Sequence, residues 1–466
     1  MKAIIFILIS ACFLVLNVFA ADLPDISGKW YGQLKEHGVY LKIALNIKKN
    51  ENVYHASLDS LLQNTYNIAV STFSFDNQAV NFTITDLVIE YKGTLEKNGN
   101  IKGIFRQHGQ DFNVTFSKTQ IGRPQEPAKP YPYIEEKIVF EDKKSGIKID
   151  GTLTLPHAKG SFPAVILISG NGPQNRDGEI FGHKPFLVIA DYLTNNGIAV
   201  LRYDDIGTAY SSGHFASATI ADFAAAAESA LAYLKNRKEI NKKNIGFIAH
   251  SEGAASASII AAQNEDVAFM VFLSACGLPG KDIIVKQYEL IGKASKIEKK
   301  YFKRDLQINK KATEIVSTAP DIGQLRSLLF NYLGKTFDGF SPSVIPRGIG
   351  KADFMRTYTN IYTTPSMIYF LKYNPTDSLK RVKCPVFAVW GGKDLQVSAK
   401  ENLKAVKKAL KAGDNKDVTL KIFPNLNHLF QECKSGLPEE YSQIEQTFSP
   451  EVLSEITDWI TLRTAN

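Results

Sequence analysis

Six short apolar segments alternate with stretches of helical periodicity between residue 134 and the C-terminus, and this alternation limits the possible folds most strongly. The segments are AVILISG (164–170), IAVLRYDD (198–205), NIGFIAH (244–250), VAFMVFLSA (267–275), CPVFAVWGG (384–392) and VTLKIFPN (418–425). Helical stretches between them include ADFAAAAESALAYLKNRKEI and SAKENLKAVKKALKAG. Continuous apolar strands that alternate with helices form parallel sheets covered on both faces. We therefore predict an α/β domain with a mostly parallel sheet over residues 134–466, beginning with a hairpin of EEKIVFED and IKIDGTLTLP.

One interval interrupts the alternation. Residues 278–380 separate two strands that one short helix could connect, and their sequence is mostly helix-like. The interval follows the C-terminal end of a strand, where ligands bind in open sheets of this kind. A helical cap over the binding site is the favoured interpretation, and a structural insertion far from the ligand is the alternative.

The first part of the chain has a different pattern. Residues 21–120 alternate polar and apolar side chains in short segments separated by polar turns, which is typical of a small all-β barrel or sandwich. Trp30 and Tyr31 in this domain fit either its core or an exposed platform for a sugar. Residues 121–133, IGRPQEPAKPYPY, contain four prolines and predict a stiff, extended linker to the α/β domain.

The N-terminus has the pattern of a secretory leader. Residues 1–20, MKAIIFILISACFLVLNVFA, place one lysine before an apolar run that ends in small residues, which predicts a signal peptide cleaved after Ala20. An uncleaved membrane anchor is the alternative. We expect a periplasmic or secreted protein without stable membrane insertion after cleavage.

Composition and cysteine spacing bear on partners. The net charge is +8, but the lysines are scattered rather than gathered into a basic stripe, which argues against a nucleic-acid partner. Cys276, Cys384 and Cys433 remain after the leader, without a CxxC pair or a His/Cys cluster, so the cysteines do not indicate a zinc site. Each cysteine fits a small core residue, and a Cys276–Cys384 or Cys384–Cys433 disulfide stays open.

The segment IGFIAHSEGAASAS (245–258) places Ser251 where a buried strand meets a helix of small residues. A strand followed by x-Ser-x-Gly and a helix is the pattern of a nucleophile elbow, which lifts the serine hydroxyl above the edge of the sheet. Ala249 stands where the first glycine of the usual pattern would be. A helix-capping serine is the alternative for this segment alone.

Serine becomes a good nucleophile only when a base accepts its proton and an acid orients that base. In this type of fold the chain order is Ser, then acid, then His. Asp394 follows one predicted strand and His428 follows the next, so parallel strands bring both to the edge that carries Ser251. His428 is therefore the predicted base and Asp394 the residue that orients it.

Other histidines and the oxyanion donors complete the predicted site. His183 and His214 are alternative bases near the same edge, and His250 is interpreted as packing within the elbow. The backbone N–H groups of Glu252 and Asn171 are predicted to hold the oxyanion, with Gly172 as the next candidate after Asn171.

Four parts of the sequence carry a resemblance: ISGNGPQNRDG, LRYDDIGTAYSSG, IAHSEGA, and the pair GGKDLQV and LNHLFQ. They resemble bacterial exported esterases of the α/β-hydrolase superfamily, of the capped type with a β-rich N-terminal domain. The resemblance implies hydrolysis of a small carboxylic ester without a metal or cofactor, and it carries the Ser251, Asp394 and His428 triad. The sequence departs from the family at Ile206, where Arg is usual, and at Ala209, Ala249 and Ala254, where Gly is common. The first two departures border the predicted site and put the substrate preference in doubt.

Three functions follow from these observations. The first is a serine esterase that works through an acyl-enzyme. A peptidase or thioesterase on the same scaffold is the second, because fold and triad do not separate ester, thioester and amide substrates. The third is a non-catalytic protein that binds a ligand.

Overall fold

The computed structural model describes residues 24–36, 39–51, 53–60, 65–118, 123–295, 298–340, 345 and 350–465. The chain forms two compact units, one of Met1–Leu34 with Lys42–Gln120 and one of Lys35–Leu41 with Ile121–Asn466. The predicted signal peptide lies outside the described residues. No described helix is both long enough and apolar enough to span a membrane.

The N-terminal part contains two β-sheets, and its predicted all-β character is confirmed. The four-stranded sheet has the order β1-β2-β3-β4 and consists of β1 (Gly28–Glu36), β2 (Val39–Asn50), β3 (Val53–Ser60) and β4 (Thr65–Ala69). The five-stranded sheet has the order β5-β6-β7-β8-β9 and consists of β5 (Thr72–Asp76), β6 (Ala79–Ile84), β7 (Ile89–Leu95), β8 (Ile101–Gln107) and β9 (Gln110–Phe116).

Alternation builds the core of the five-stranded sheet. Every second residue of β6 is buried, and the ring of Phe82 stacks on that of Tyr91 with centroids 5.1 Å apart. Trp30 is only 2% exposed, and its indole N–H donates to the carbonyl oxygen of Ile26 at 2.7 Å. Trp30 is therefore a core residue, and the interpretation of it as an exposed sugar platform is wrong.

The second unit contains one eight-stranded mixed sheet. Its strands lie in the order β10-β11-β13-β12-β14-β15-β16-β17. The bounds are β10 (Ile134–Asp142), β11 (Ile147–Leu155), β12 (Phe162–Ile168), β13 (Ala199–Tyr203), β14 (Ile240–His250), β15 (Met270–Leu273), β16 (Val386–Gly391) and β17 (Val418–Phe423). β10, β11 and β13 pair antiparallel, and the pairs from β13 through β17 are parallel. The carboxyl ends of all strands of this sheet except β11 consequently share one edge.

Helices cover both faces of this sheet. α1 (Pro185–Asn195) and α12 (Pro450–Thr464) bury their apolar side chains on one face. α2 (Ile220–Lys235), α3 (Gly253–Ala261) and α10 (Ala399–Ala412) pack on the other. Alanines dominate the buried positions of α2 and α3, so both helices can approach the strands closely. The short α11 (Pro438–Tyr441) lies between β17 and α12.

The interval between β15 and β16 is helical. It contains α4 (Gly280–Ala294), α5 (Lys299–Thr318), α6 (Ile322–Thr336), α7 (Lys351–Tyr362), α8 (Pro365–Lys372) and α9 (Thr376–Leu379). Leu329 and Leu333 of α6 and Val316 of α5 form a separate core that also includes Ile220 and Ala255 from the starts of α2 and α3. The insertion therefore packs directly beside the turn that carries Ser251.

The proline-rich segment belongs to the second unit and is hydrogen-bonded to residues near the C-terminus of that unit. Arg123 donates to the carbonyl oxygens of Ser442 (2.6 Å) and Ile444 (2.8 Å), and the Gln125 amide bonds to the backbone of Phe448 (2.8 Å). These bonds hold the start of the segment in place. Cys276, Cys384 and Cys433 are free thiols in the described structure.

Candidate active site

Ser251 occupies a strained turn between β14 and α3. Its φ angle is 53°, in the left-handed region that non-glycine residues rarely adopt. The Ser251 N–H donates to the carbonyl oxygen of Leu273 at 2.8 Å, and the Ser251 carbonyl accepts from the N–H of Ala254 at 3.1 Å. A Cβ atom at Gly253 would lie 2.2 Å from the carbonyl oxygen of Ser169. Glycine at position 253 thus permits the close approach of helix and strand that the turn requires.

His428 and Asp394 lie beyond the ends of β17 and β16 and form a buried pair. His428 Nδ1 is 2.7 Å from Asp394 Oδ2, and the two residues are 5% and 4% exposed. The other carboxylate oxygen accepts the backbone N–H groups of Gln396 and Val397, each at 2.8 Å. Because a carboxylate only accepts hydrogen bonds, Nδ1 carries the imidazole proton. Nε2 is then left as a base.

His250 holds the backbone and the ring of His428 in place. His250 Nε2 lies 3.0 Å from the carbonyl oxygen of His428, and the two rings have centroids 4.7 Å apart. Burial, with the neighbouring His428, lowers the pKa of His250 to about 3, so His250 stays neutral and donates from Nε2. The sequence interpretation of His250 as elbow packing missed this contact.

The hydrogen bonds of the described residues do not include one between Ser251 Oγ and His428. Hydrogen bonds between catalytic groups are often long in structures without substrate and tighten only when substrate binds. The two alternative bases have other environments. His183 is fully buried between Thr447 Oγ1 (3.0 Å) and the carbonyl oxygen of Tyr441 (2.9 Å), and His214 is exposed.

The two predicted oxyanion donors border one small cavity, together with Gly170 and Gly172. Within the described part of the chain, the backbone N–H groups of Asn171 and Glu252 make no hydrogen bond. They are therefore available to a ligand atom. Gly172 lies in the same loop with φ 93°, a conformation that glycine adopts without strain.

Two carboxyl groups after β13 hold the loop that carries Asn171. Asp205 accepts the hydroxyl of Ser169 at 2.6 Å and the N–H of Gln174 at 3.0 Å. Asp204 pairs with Arg176 at 2.5 Å, and Arg176 also pairs with Asp150. Sequence reasoning missed these bonds, although the Asp-Asp doublet at a strand end was a visible signal.

The buried Asp205 makes stability depend on pH. Burial raises the pKa of its carboxyl to about 7, so the native state holds this proton more tightly than the unfolded chain does. This contribution is complete at low pH and is lost as pH rises toward 7. We expect Asp205→Asn to increase the free energy of unfolding relative to wild type progressively between pH 4.5 and 7.5, by at most about 4 kcal/mol, and the melting temperature to rise with it.

Thermal melts across this pH range test the expectation, with the exposed Asp282→Asn as the control. The asparagine oxygen can still accept from the backbone N–H of Gln174, and its NH₂ group can donate to the hydroxyl of Ser169. The side chain therefore keeps its position. A difference in melting temperature that is the same at pH 4.5 and 7.5 would contradict the assignment.

Fold and site together define a protein of the α/β-hydrolase fold: a largely parallel sheet, a serine on a strained strand-to-helix turn, and an acid and a histidine after two later strands. Among the described residues, no group of three or more His, Cys, Asp or Glu is placed to hold a metal ion.

Comparisons with known proteins found the following similarities. The family described as "Serine aminopeptidase, S33" matches residues 184–324. Esterase EstD of Thermotoga maritima is 24% identical over 413 residues, which cover 87% of this chain and 82% of the relative. Among solved structures, the Pyrococcus furiosus esterase Pf2001 is 16% identical, with 75% of this chain and 100% of that chain covered and a TM-score of 0.44. Est1E of Butyrivibrio proteoclasticus, solved with ferulic acid, is 17% identical, with coverages of 71% and 100% and a TM-score of 0.41.

Proposed function

We propose that the protein is a carboxylic ester hydrolase that works through an acyl-enzyme on Ser251. The observation that carries the proposal is the buried 2.7 Å bond between His428 and Asp394, at the same sheet edge as the strained Ser251. This bond fixes the imidazole tautomer that can accept a serine proton. The similarity to an esterase over most of the chain supports the same chemistry.

The first half-reaction joins the acyl group to the enzyme. Ser251 Oγ attacks the ester carbonyl carbon while His428 Nε2 takes the hydroxyl proton, and Asp394 stabilises the resulting imidazolium. The negative charge on the carbonyl oxygen is held by the N–H groups of Asn171 and Glu252. When the intermediate collapses, the C–O bond to the alcohol breaks and His428 gives its proton to the leaving alkoxide.

The second half-reaction returns the enzyme to its starting state. Water attacks the acyl-enzyme carbonyl while His428 Nε2 accepts one of its protons. Collapse of this intermediate breaks the bond to Ser251, which regains a proton from His428, and the carboxylic acid leaves. Each cycle thus consumes one ester and one water and yields one acid and one alcohol.

Covalent labelling tests the nucleophile directly. A fluorophosphonate should phosphonylate the intact protein at one residue, and peptide mass spectrometry should locate the adduct on Ser251. Preincubation with p-nitrophenyl butyrate should slow the labelling. An unlabelled protein would instead favour the non-catalytic ligand-binding alternative.

The match to a serine aminopeptidase family keeps amide hydrolysis as a second candidate. The nitrogen of an amide is a poorer leaving group than the alkoxide of an ester. Peptide hydrolysis therefore depends more strongly on protonation of the leaving group by His428. Rates on p-nitrophenyl esters, thioesters and aminoacyl-p-nitroanilides, measured side by side, separate the candidates. Anilide rates that exceed the ester rates would assign the protein as a peptidase.

We also infer export from residues 1–20, which lie outside the described structure. N-terminal sequencing of protein produced in a bacterial host should find Ala21 as the first residue. A mature chain that starts at Met1 would contradict cleavage.

A further inference from the structure

The side chain that follows the nucleophile has no part in the steps above. Glu252 is buried, with 7% of its surface exposed, and a buried carboxyl group requires hydrogen-bond partners. Its Oε2 accepts a hydrogen bond of 2.6 Å from Asn171 Nδ2. Asn171 and Glu252 are also the two residues whose backbone N–H groups would hold the oxyanion. One side-chain bond therefore joins the two halves of the proposed oxyanion hole.

A second contact links Glu252 to the helical insertion. Ser366 in α8 lies close enough to the Glu252 carboxyl group to favour its ionised form, and it lines the same small cavity as Asn171 and Glu252. Glu252 thus connects three separate parts of the fold, namely the elbow, the loop after β12 and the insertion. The position of that loop depends on contacts 81 residues apart in sequence.

We propose that Glu252 is a positioning residue, whose carboxyl group holds Asn171 so that the backbone N–H groups of both residues converge on the oxyanion. The inference rests on the proposed esterase function and adds to it a residue that acts through another. Since catalysis by hydrogen-bond donors depends on their fixed placement, loosening the loop reduces kcat more than substrate affinity.

Among the described residues, the ionisable groups that interact with Glu252 are not cations. The ionisable groups that face it are Asp205 after β13 and Cys276 after β15, and Asp204 lies next to Asp205. Burial raises the pKa of Glu252 to about 7, and burial likewise raises the pKa of the Cys276 thiol, which stays neutral. The ionised Glu252, which is the stronger acceptor for the Asn171 amide, therefore forms as pH rises through neutrality.

The test compares Glu252→Ala, Glu252→Gln, Asn171→Ala and the double variant Glu252→Ala/Asn171→Ala in steady-state hydrolysis of p-nitrophenyl acetate. We expect Glu252→Ala and Asn171→Ala each to lower kcat by about 10- to 100-fold with KM nearly unchanged. The kcat of the double variant should be no lower than that of the less active single variant, because each single substitution already removes the same hydrogen bond. Glu252→Gln should keep kcat within about five-fold of wild type, since its amide oxygen can still accept from Asn171.

A pH profile separates positioning from a merely structural role. The acid limb of kcat/KM in wild type should contain a step of at most about five-fold from the ionisation of Glu252, and Glu252→Gln should lack this step because its amide does not titrate. The exposed Glu265→Gln serves as the matched control, and circular dichroism checks folding. Asn171 is itself exposed, so its variant keeps the test valid if Glu252→Ala does not fold.

Three outcomes would overturn the inference: kcat unchanged in both alanine variants, losses that multiply in the double variant, or an effect confined to KM. A wild-type protein that hydrolyses no ester and takes no fluorophosphonate would contradict the proposed function and this inference together. An active wild type with unchanged variants would contradict only the positioning role.

Discussion

Replacing Ser251 by Ala should lower kcat for p-nitrophenyl acetate by about 10⁴- to 10⁶-fold while leaving the fold intact. Alanine removes only the hydroxyl oxygen, and the elbow is held by backbone bonds to Leu273 and Ala254 that remain. The loss is large because the nucleophile and the base act as a unit. Without Oγ, the pair of His428 and Asp394 can at best assist water.

The matched control is Ser217→Ala, which removes an exposed hydroxyl whose own hydrogen bond goes to the carbonyl oxygen of His214. It should retain wild-type kcat and KM. Residual hydrolysis by Ser251→Ala within ten-fold of wild type would mean that another residue is the nucleophile. Thermal melts of both variants should coincide with wild type to within a few degrees.

The strands were the most predictable part of this fold. Apolar runs located β12, β13, β16 and β17 to within about two residues; β12, β13 and β16 are buried along most of their length, whereas β17 is a half-buried edge strand. β14 begins at Ile240, earlier than its apolar run, because the buried Ile240 already pairs with Phe162 and polar residues separate it from that run. β15 is shorter than its apolar run because Val267 and Phe269 are buried in the core without belonging to the strand.

The candidate site was predictable where it follows from topology. Parallel strands deliver the residues at their carboxyl ends to one edge, and this rule selected His428 and Asp394, which the structure joins by a hydrogen bond. No comparable rule predicts the side-chain hydrogen bonds of Glu252 and Arg176. They depend on the paths of loops that are distant in sequence, and no local periodicity encodes those paths.

The hydrogen bonds of Asp394 make a second large effect expected. Asp394→Asn should lower kcat/KM for p-nitrophenyl butyrate by about 10³- to 10⁴-fold without unfolding the protein. Oδ1 of the aspartate accepts two backbone N–H groups, so the oxygen of the asparagine amide must keep that place. The amide NH₂ group then faces His428 Nδ1. Since NH₂ can only donate, Nδ1 becomes the acceptor and the imidazole proton moves to Nε2.

An imidazole with its proton on Nε2 cannot accept the proton of Ser251, although all side chains are present. The ¹⁵N chemical shifts of the His428 ring in both proteins report the tautomer independently of activity. The control is Asp414→Asn, an exposed turn residue with φ 60° that asparagine tolerates well. If Asp394→Asn retained a tenth of the wild-type activity, or if its tautomer were unchanged, Asp394 would not be the residue that orients the base. The loss of activity and the shift of the proton must therefore occur together, because one bond of 2.7 Å determines both.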